Sequence, residues 1–349
     1  MNAPTCDAPT PPLRVAVIGA GAIGGLIAAW LGTHLPPERV CVSVLARGAT
    51  LHALQTHGLR LQDAAGTTTV VPLTGVISDD PAALGPQDVV IVAVKAPSLV
   101  TVMPQVQRWL HAHTQVLVAM NGVPWWFFQA MPAREAGRCA GLRLRSVDPD
   151  GRLAAALPLS HVVGCVVHIS SSAPAPGVIR HGMGRGMILG LPGGGITPAL
   201  QDVAALLNQA GMTVSLSERI QRDIWFKLWG NMTMNPVSAL TGATCDRLLD
   251  DALVREFCSA VMREAQTMGT HFGCAITQNP DERHALTRQL GAFKTSMLQD
   301  LEAGRVLEID ALIGAVREIG HHLGEPTPFI DALLGLTRLM ARSRGLYPA

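Results

Sequence analysis

At 349 residues the chain is long for a single hydrophobic core, and two domains are the default. Apolar residues make up 48% and charged residues 15%, the balance of a large, well-buried globular protein. With 27 Lys+Arg against 26 Asp+Glu, the chain carries neither a basic nucleic-acid surface nor an acidic tail.

Residues 1–12 are polar and proline-rich, lack the charged and apolar regions of a signal peptide, and read as a mobile tail. Seven cysteines lie at positions 6, 41, 139, 165, 245, 258 and 274, with no CxxC pair among them. They read as free thiols in a reducing, cytoplasmic setting, with no metal site.

Val15 to Gly32 is uncharged and long enough to imitate a membrane span. Its glycines favour a different reading: a buried strand over Arg14–Ile18, a turn, and a helix. The turn Gly19-Ala20-Gly21-Ala22-Ile23-Gly24 has the GxGxxG spacing of a dinucleotide site. The first glycine permits the tight turn and the second admits a pyrophosphate. The third brings helix and strand close, and the helix N-terminus faces the phosphates. The next strand, "VCVSVLAR", ends at Arg47. No acidic residue occurs between Cys41 and Gln62 to grip a ribose 2′-hydroxyl. A guanidinium at this place suits a 2′-phosphate, which favours NADP over NAD.

A third buried strand is expected over Val89–Val94, ending at Lys95, and a fourth in "TQVLVAMNGVP", ending at Asn121. Both polar residues therefore fall at carboxyl ends of strands, where open parallel sheets bind ligands. The cluster "PWWFF" reads as packing. "HVVGCVVHIS" and "GVIRHGMGRGMILG" read as an antiparallel extension of the sheet. Thr197-Pro198 should open a helix that Gly211 ends, before a last short strand in "MTVSLS".

From residue 217 the pattern becomes helical. Ser217 is the expected cap of a helix with Glu218 in its first turn. On that helix Lys227, Asn231 and Asn235 stand at i, i+4 and i+8, a polar row in an apolar segment. Such a row needs partners and reads as one wall of a cleft. Pro236 should bend or end the helix. Leu249, Leu253, Phe257, Val261, Met262 and Met268 form an expected core stripe. Gly304 should separate two helices, the second starting near Glu308 and ending at Gly324. His321 and His322 lack a third ligand and read as solvated helix-end residues.

Taken together, "VIGAGAIGG", "VLARG", "VKAPS", "MNGVPWW", "KLWGNMTMNPVSALT" and "KTSMLQDLEAGRVLEIDALIGAV" resemble ketopantoate reductase (2-dehydropantoate 2-reductase), in family order over residues 14–340. The resemblance implies an α/β fold. A Rossmann-type NADP-binding domain with extra antiparallel strands spans residues 13–216, and an all-α substrate and catalytic domain spans residues 217–349. NADPH would lie between them and reduce 2-dehydropantoate to pantoate, on the route to pantothenate.

At matching positions the resemblance makes Lys227 the catalytic lysine, with Glu308 beside it and the cofactor. Asn231, Asn235 and Ser296 bind substrate, Ser296 at the carboxylate end. Lys95 and Asn121 face the cofactor, and Arg47 its 2′-phosphate. A positioned ammonium stabilises charge on the ketone oxygen and donates the proton, and a nearby Glu308 would keep it protonated.

Where family members place further polar substrate contacts, this chain has Cys245 and Phe293. Reduction of another 2-oxo acid or related ketone therefore stays open. So do a non-catalytic NADP-binding sensor and a relative of the β-hydroxyacid dehydrogenases. The expected partner is a small 2-oxo acid, not nucleic acid or a membrane, and a homodimer is one option for assembly.

Overall fold

The computed structural model describes residues 11–348; the tail assignment over residues 1–10, with Cys6, lies outside the described residues. The first half alternates strands and helices: β1 (Leu13–Ile18), α1 (Ala22–His34), β2 (Val40–Leu45), α2 (Gly48–His57), β3 (Leu59–Gln62), β4 (Thr68–Val71), β5 (Ile77–Ser78), β6 (Val89–Val92), α3 (Leu99–Val106) and β7 (Gln115–Val118). Two short helices, α4 (Ala133–Ala136) and α5 (Arg152–Ala156), precede the long strands β8 (Val162–Ala175) and β9 (Val178–Gly190), followed by α6 (Pro198–Gln209) and β10 (Thr213–Leu216). Among the described residues only helices follow: α7 (Ile220–Thr241), α8 (Cys245–Asp250), α9 (Ala252–Thr270), α10 (Pro280–Arg288), α11 (Ser296–Glu302), a π turn over Asp310–Gly314, α12 (Ala315–Leu323) and α13 (Pro328–Ser343).

The strands form one 10-stranded sheet in the order β4-β3-β9-β8-β7-β6-β1-β2-β5, with β10 on β9. The run from β5 to β8 is parallel throughout. β1, β2, β6 and β7 within it are largely buried on both faces, which is why they read as apolar runs rich in Val and Ile. β8 and β9 pair antiparallel, as their sequences suggest. Strand order reverses between β1 and β6, a topological switch point with the glycine turn at its carboxyl edge.

Each glycine of that turn has a distinct environment. Gly19 has φ +88°, and a Cβ on it would lie 2.8 Å from the Ala93 carbonyl oxygen. A Cβ on Gly24 would lie 2.2 Å from the Gly19 carbonyl oxygen, while one on Gly21 would meet nothing within 4 Å. β6 stops at Val92 rather than Val94: Ala93 N still donates to the Ile18 carbonyl at 2.9 Å, and Ala93 and Val94 then pack under the turn.

Three helical expectations need correction. Ser217 does not cap α7; the N-cap is Arg219, so Glu218 precedes the helix and Asp223 is its first-turn acid. Ser217 Oγ instead accepts from Arg219 N and donates to Asp223, bracing the approach to the helix. Pro236 does not end α7, which continues to Thr241 and stops at Gly242, φ +72°. Pro236 is buried with most of its neighbours, and that burial offsets one lost backbone bond. Leu253 is 84% exposed, because α9 starts at Ala252 and its second residue falls outside the buried stripe of Cys258, Val261, Met262, Ala265 and Met268.

Thr197 caps α6 by accepting from Leu200 N, and Gly324 closes α12 at φ +76°. No helix among the described residues is long and apolar enough to cross a membrane.

One hydrophobic core covers a face of the sheet and continues without interruption through the helical half. Its aromatic centre joins the two: Phe128 and Trp225 each meet Phe272 edge-on, at 5.1 and 4.9 Å between ring centroids. Phe272→Ala therefore empties a fully buried site shared by both halves. We expect a loss of about 3–5 kcal/mol in stability, read as a fall in the urea midpoint; an unchanged midpoint would show that the two halves do not share this core.

Candidate active site

Lys227 projects from α7 to the carboxyl edge of the sheet. Its Nζ donates to Asn121 Oδ1 at 3.0 Å and to the Val167 carbonyl at 2.7 Å. Asn121 follows β7 and Val167 belongs to β8, so two adjacent strands orient the ammonium. An ammonium has three donors, and this arrangement leaves one for a ligand. Burial lowers the Lys227 pKa to about 8, with Cys165 and Glu308 opposing the shift and Arg283 adding to it. Lys227 is thus poised to part with a proton near neutrality, whereas its unperturbed value would leave it a weak acid.

Glu308 does not touch Lys227. Its Oε1 accepts from Ala96 N at 3.0 Å, across 212 residues of sequence. Burial raises its pKa, against the Ala96 N–H and the Lys95 charge. Lysine and glutamate are therefore coupled through their charges rather than by contact, and it is the Asn121 amide oxygen that accepts from the ammonium. Glu308, expected beside the lysine to keep it protonated, acts on the ammonium through its charge and is not one of its hydrogen-bond partners.

The π turn holds the Glu308 segment against the Asn121 loop. Ala311 O accepts from Val123 N at 2.8 Å. Gly122, at φ +82°, lets the turn approach so closely that a Cβ there would lie 2.3 Å from the same oxygen. A side chain at residue 122 would push the Glu308 segment away from the Asn121 loop. A cleft beside it is lined by Asn121, Trp126, Cys165, Lys227 and Asn231.

The rest of the polar row runs deeper. Asn231 lines the cleft, while Asn235 is 5% exposed and its Nδ2 donates to Ser296 Oγ at 3.4 Å. Ser296 is exposed at the start of α11, whose cap is Thr295. Lys95 Nζ pairs with Asp300 Oδ2 at 2.6 Å and donates to Val306 O at 3.1 Å, tying the end of β6 to α11 and the segment after it. Arg47 is exposed at the carboxyl end of β2 and precedes α2.

Sequence reasoning missed Asp300, the Val167 carbonyl and Arg283. The first two meet their partners only through long-range folding and carry no local pattern. Arg283 stacks over Phe226 at 5.2 Å and its Nε is buried without a partner. An arginine in a polar helix gives no hint of that environment.

The glycine turn fits a dinucleotide. Gly21 leaves open space at the N-terminus of α1, whose first turn holds no acidic residue to repel a pyrophosphate. Among the described residues no cluster of side chains could hold a metal ion.

Comparison with known proteins agrees with this geometry. Residues 15–125 match the family model "Ketopantoate reductase PanE/ApbA", and residues 219–341 match "Ketopantoate reductase PanE/ApbA C terminal". A 2-dehydropantoate 2-reductase from Mesorhizobium japonicum is 40% identical over 335 residues, covering 96% of this chain and 100% of the relative. The crystal structure of a candidate ketopantoate reductase from Ralstonia solanacearum is 57% identical, with a TM-score of 0.89 over 96% of this chain and 99% of that one. D-mandelate dehydrogenase, solved with NADH and anilino(oxo)acetate, shares the fold at 19% identity and a TM-score of 0.79 over 95% of this chain and 100% of that one. With both family models matched in order and a full-length relative at 40% identity, the chain belongs to the ketopantoate reductase family.

Proposed function

We propose that this protein reduces 2-dehydropantoate to pantoate with NADPH, Lys227 acting as the general acid. The observation that carries the reading is the Lys227 ammonium, oriented by Asn121 and Val167 beside a dinucleotide-shaped glycine turn. Bound NADPH supplies the hydride. The backbone of Gly19–Gly24 would hold its pyrophosphate, with Arg47 at the 2′-phosphate. The free N–H of Lys227 meets the ketone oxygen, stabilises the charge that develops there and then donates its proton. Asn121 keeps the ammonium aimed during that transfer, and Asn231, Asn235 and Ser296 offer neutral hydrogen bonds to the substrate. Glu308, behind Asn121, supplies the negative charge that favours reprotonation of the lysine between turnovers.

A second reading, reduction of a different 2-oxo acid on the same residues, is favoured by one observation. Cys245 and Phe293, the two departures from the family pattern, meet each other: Cys245 N donates to Phe293 O at 3.0 Å. Two positions expected to present polar groups to substrate are therefore a buried thiol and a phenyl ring on adjoining segments.

NADPH oxidation against a panel of 2-oxo acids separates these readings. We expect 2-dehydropantoate to give the highest kcat/KM, and a tenfold better competitor would transfer the assignment to that acid. Lys227→Ala should lower kcat by roughly 10²–10⁴-fold, the range for a lost general acid. In the wild type, the acid form of Lys227 prevails below a pKa of about 8, so kcat should decline as pH rises through that value. A rate that stays level up to pH about 10, where an unperturbed lysine titrates, contradicts the role. Arg47→Ala should raise the KM for NADPH at least about tenfold, the worth of a charge-assisted bond, and leave that for NADH unaltered. Equal effects on both cofactors would remove the 2′-phosphate assignment.

A further inference from the structure

The segment that carries Glu308 is irregular from Arg305 to Glu308, between α11 and the π turn. On one side it is fastened to the strand β6 region by Lys95 and by Ala96 N. On the other side it is fastened to the C-terminal end of the chain. Leu307 N donates to Leu346 O at 3.2 Å, so the residue directly before Glu308 is bonded to the residue directly before Tyr347. Leu346 is 8% exposed and belongs to the core that underlies the site.

Tyr347, the chain's one tyrosine, closes the second contact. Its hydroxyl lies 2.7 Å from both Asp310 oxygens, and Arg338 Nη2 donates to Asp310 Oδ1 at 2.8 Å. Arg338 and Arg342 of α13 flank the phenol ring, their Cζ atoms 5.8 and 5.5 Å from its centroid. Asp310 is the first residue of the π turn, and Gly314, its last, leaves the space: a Cβ there would lie 3.0 Å from Asp310 Oδ1. Burial and the Asp310 contact push the Tyr347 pKa up to about 12, so the phenol stays a donor at any working pH.

A π turn costs hydrogen-bond geometry relative to an α-helix and persists where its surroundings fix it. Here its far face rests on Gly122 and Val123, in the loop that carries Asn121. The C-terminal residues thus brace, from behind, the one element that links Glu308 to Asn121 and so to Lys227.

We propose that Leu346–Tyr347, with Asp310 and Arg338, is a latch that positions Glu308 for proton transfer; Tyr347 is a positioning residue of the reductase. The inference rests on the reading of Lys227 and Glu308 given above. It adds a contact between the site and the last residues of the chain, about which neither the glycine turn nor the α7 row says anything. Loss of the phenol hydroxyl frees the π turn to relax toward α-helical geometry, which moves Glu308 without touching any group that meets substrate.

The test is a double-mutant cycle on the full chain, with 2-dehydropantoate and NADPH, at a temperature well below the unfolding midpoint of every variant. Tyr347→Phe should lower kcat about tenfold, the scale of a sub-ångström misplacement, with the KM for 2-dehydropantoate changed less than about twofold. In a Glu308→Gln background the same change should cost little more, because the latch acts through that carboxylate. Asp310→Asn, which keeps an acceptor for Tyr347, should fall between wild type and Tyr347→Phe. A Tyr347→Phe enzyme with wild-type kcat and a lowered melting point would show a merely structural contact and overturn the proposal. A full tenfold loss on top of Glu308→Gln would overturn it too, since the effect would then bypass Glu308. A wild-type enzyme inactive on every 2-oxo acid would instead overturn the reading on which the latch rests.

Discussion

The structure depends on holding one ammonium in a place that disfavours charge. Lys227 sits on a helix buried on nearly every side, and burial brings its pKa to about 8. A cation in such surroundings is tolerated only with fixed acceptors. The Val167 carbonyl and the Asn121 amide are those acceptors, and both come from the sheet rather than from the helix that bears the lysine. The helical half and the sheet are therefore joined at the site by a polar contact as well as by the aromatic core around Phe272. The ammonium is held by neutral acceptors rather than by a carboxylate, which leaves its proton transferable.

That arrangement requires two close backbone approaches, and glycine permits each. At the cofactor turn, Gly24 lies against the Gly19 carbonyl so that α1 can start immediately above β1. At the other wall, Gly122 lies against the Ala311 carbonyl so that the π turn can reach the loop after β7. In both places even one methyl group would separate the elements that form the cleft. Lys95 and Asp300 add an ion pair across the same junction, in which a residue at the end of a strand holds α11.

Much of this is legible in the sequence. The glycine turn, the parallel strands, the antiparallel β8–β9 pair and the row Lys227, Asn231, Asn235 all follow from local spacing. Where a local rule fails, it fails in one way. At Ser217, Pro236 and Leu253 the tertiary surroundings outweigh the local signal. Ser217 serves Asp223 and Arg219 instead of capping, Pro236 is carried through by burial, and Leu253 begins a helix whose first turn projects past its neighbours.

The sequence by itself determined what depends on neighbours along the chain: strand and helix periods, the open Gly21 at a helix start, and the family to which the motif blocks belong. Only the tertiary structure decided what depends on distance through space. It brought Asn121 to Lys227 and Glu308 to the Ala96 N–H, gave Lys95 its partner in Asp300, and brought Tyr347 behind the π turn. These contacts join residues up to 212 positions apart, and no periodicity along a chain encodes which of its remote polar groups will meet. The proton affinity of Lys227 belongs to the same class, because it is set by desolvation and by remote charges that exist only once the chain has folded.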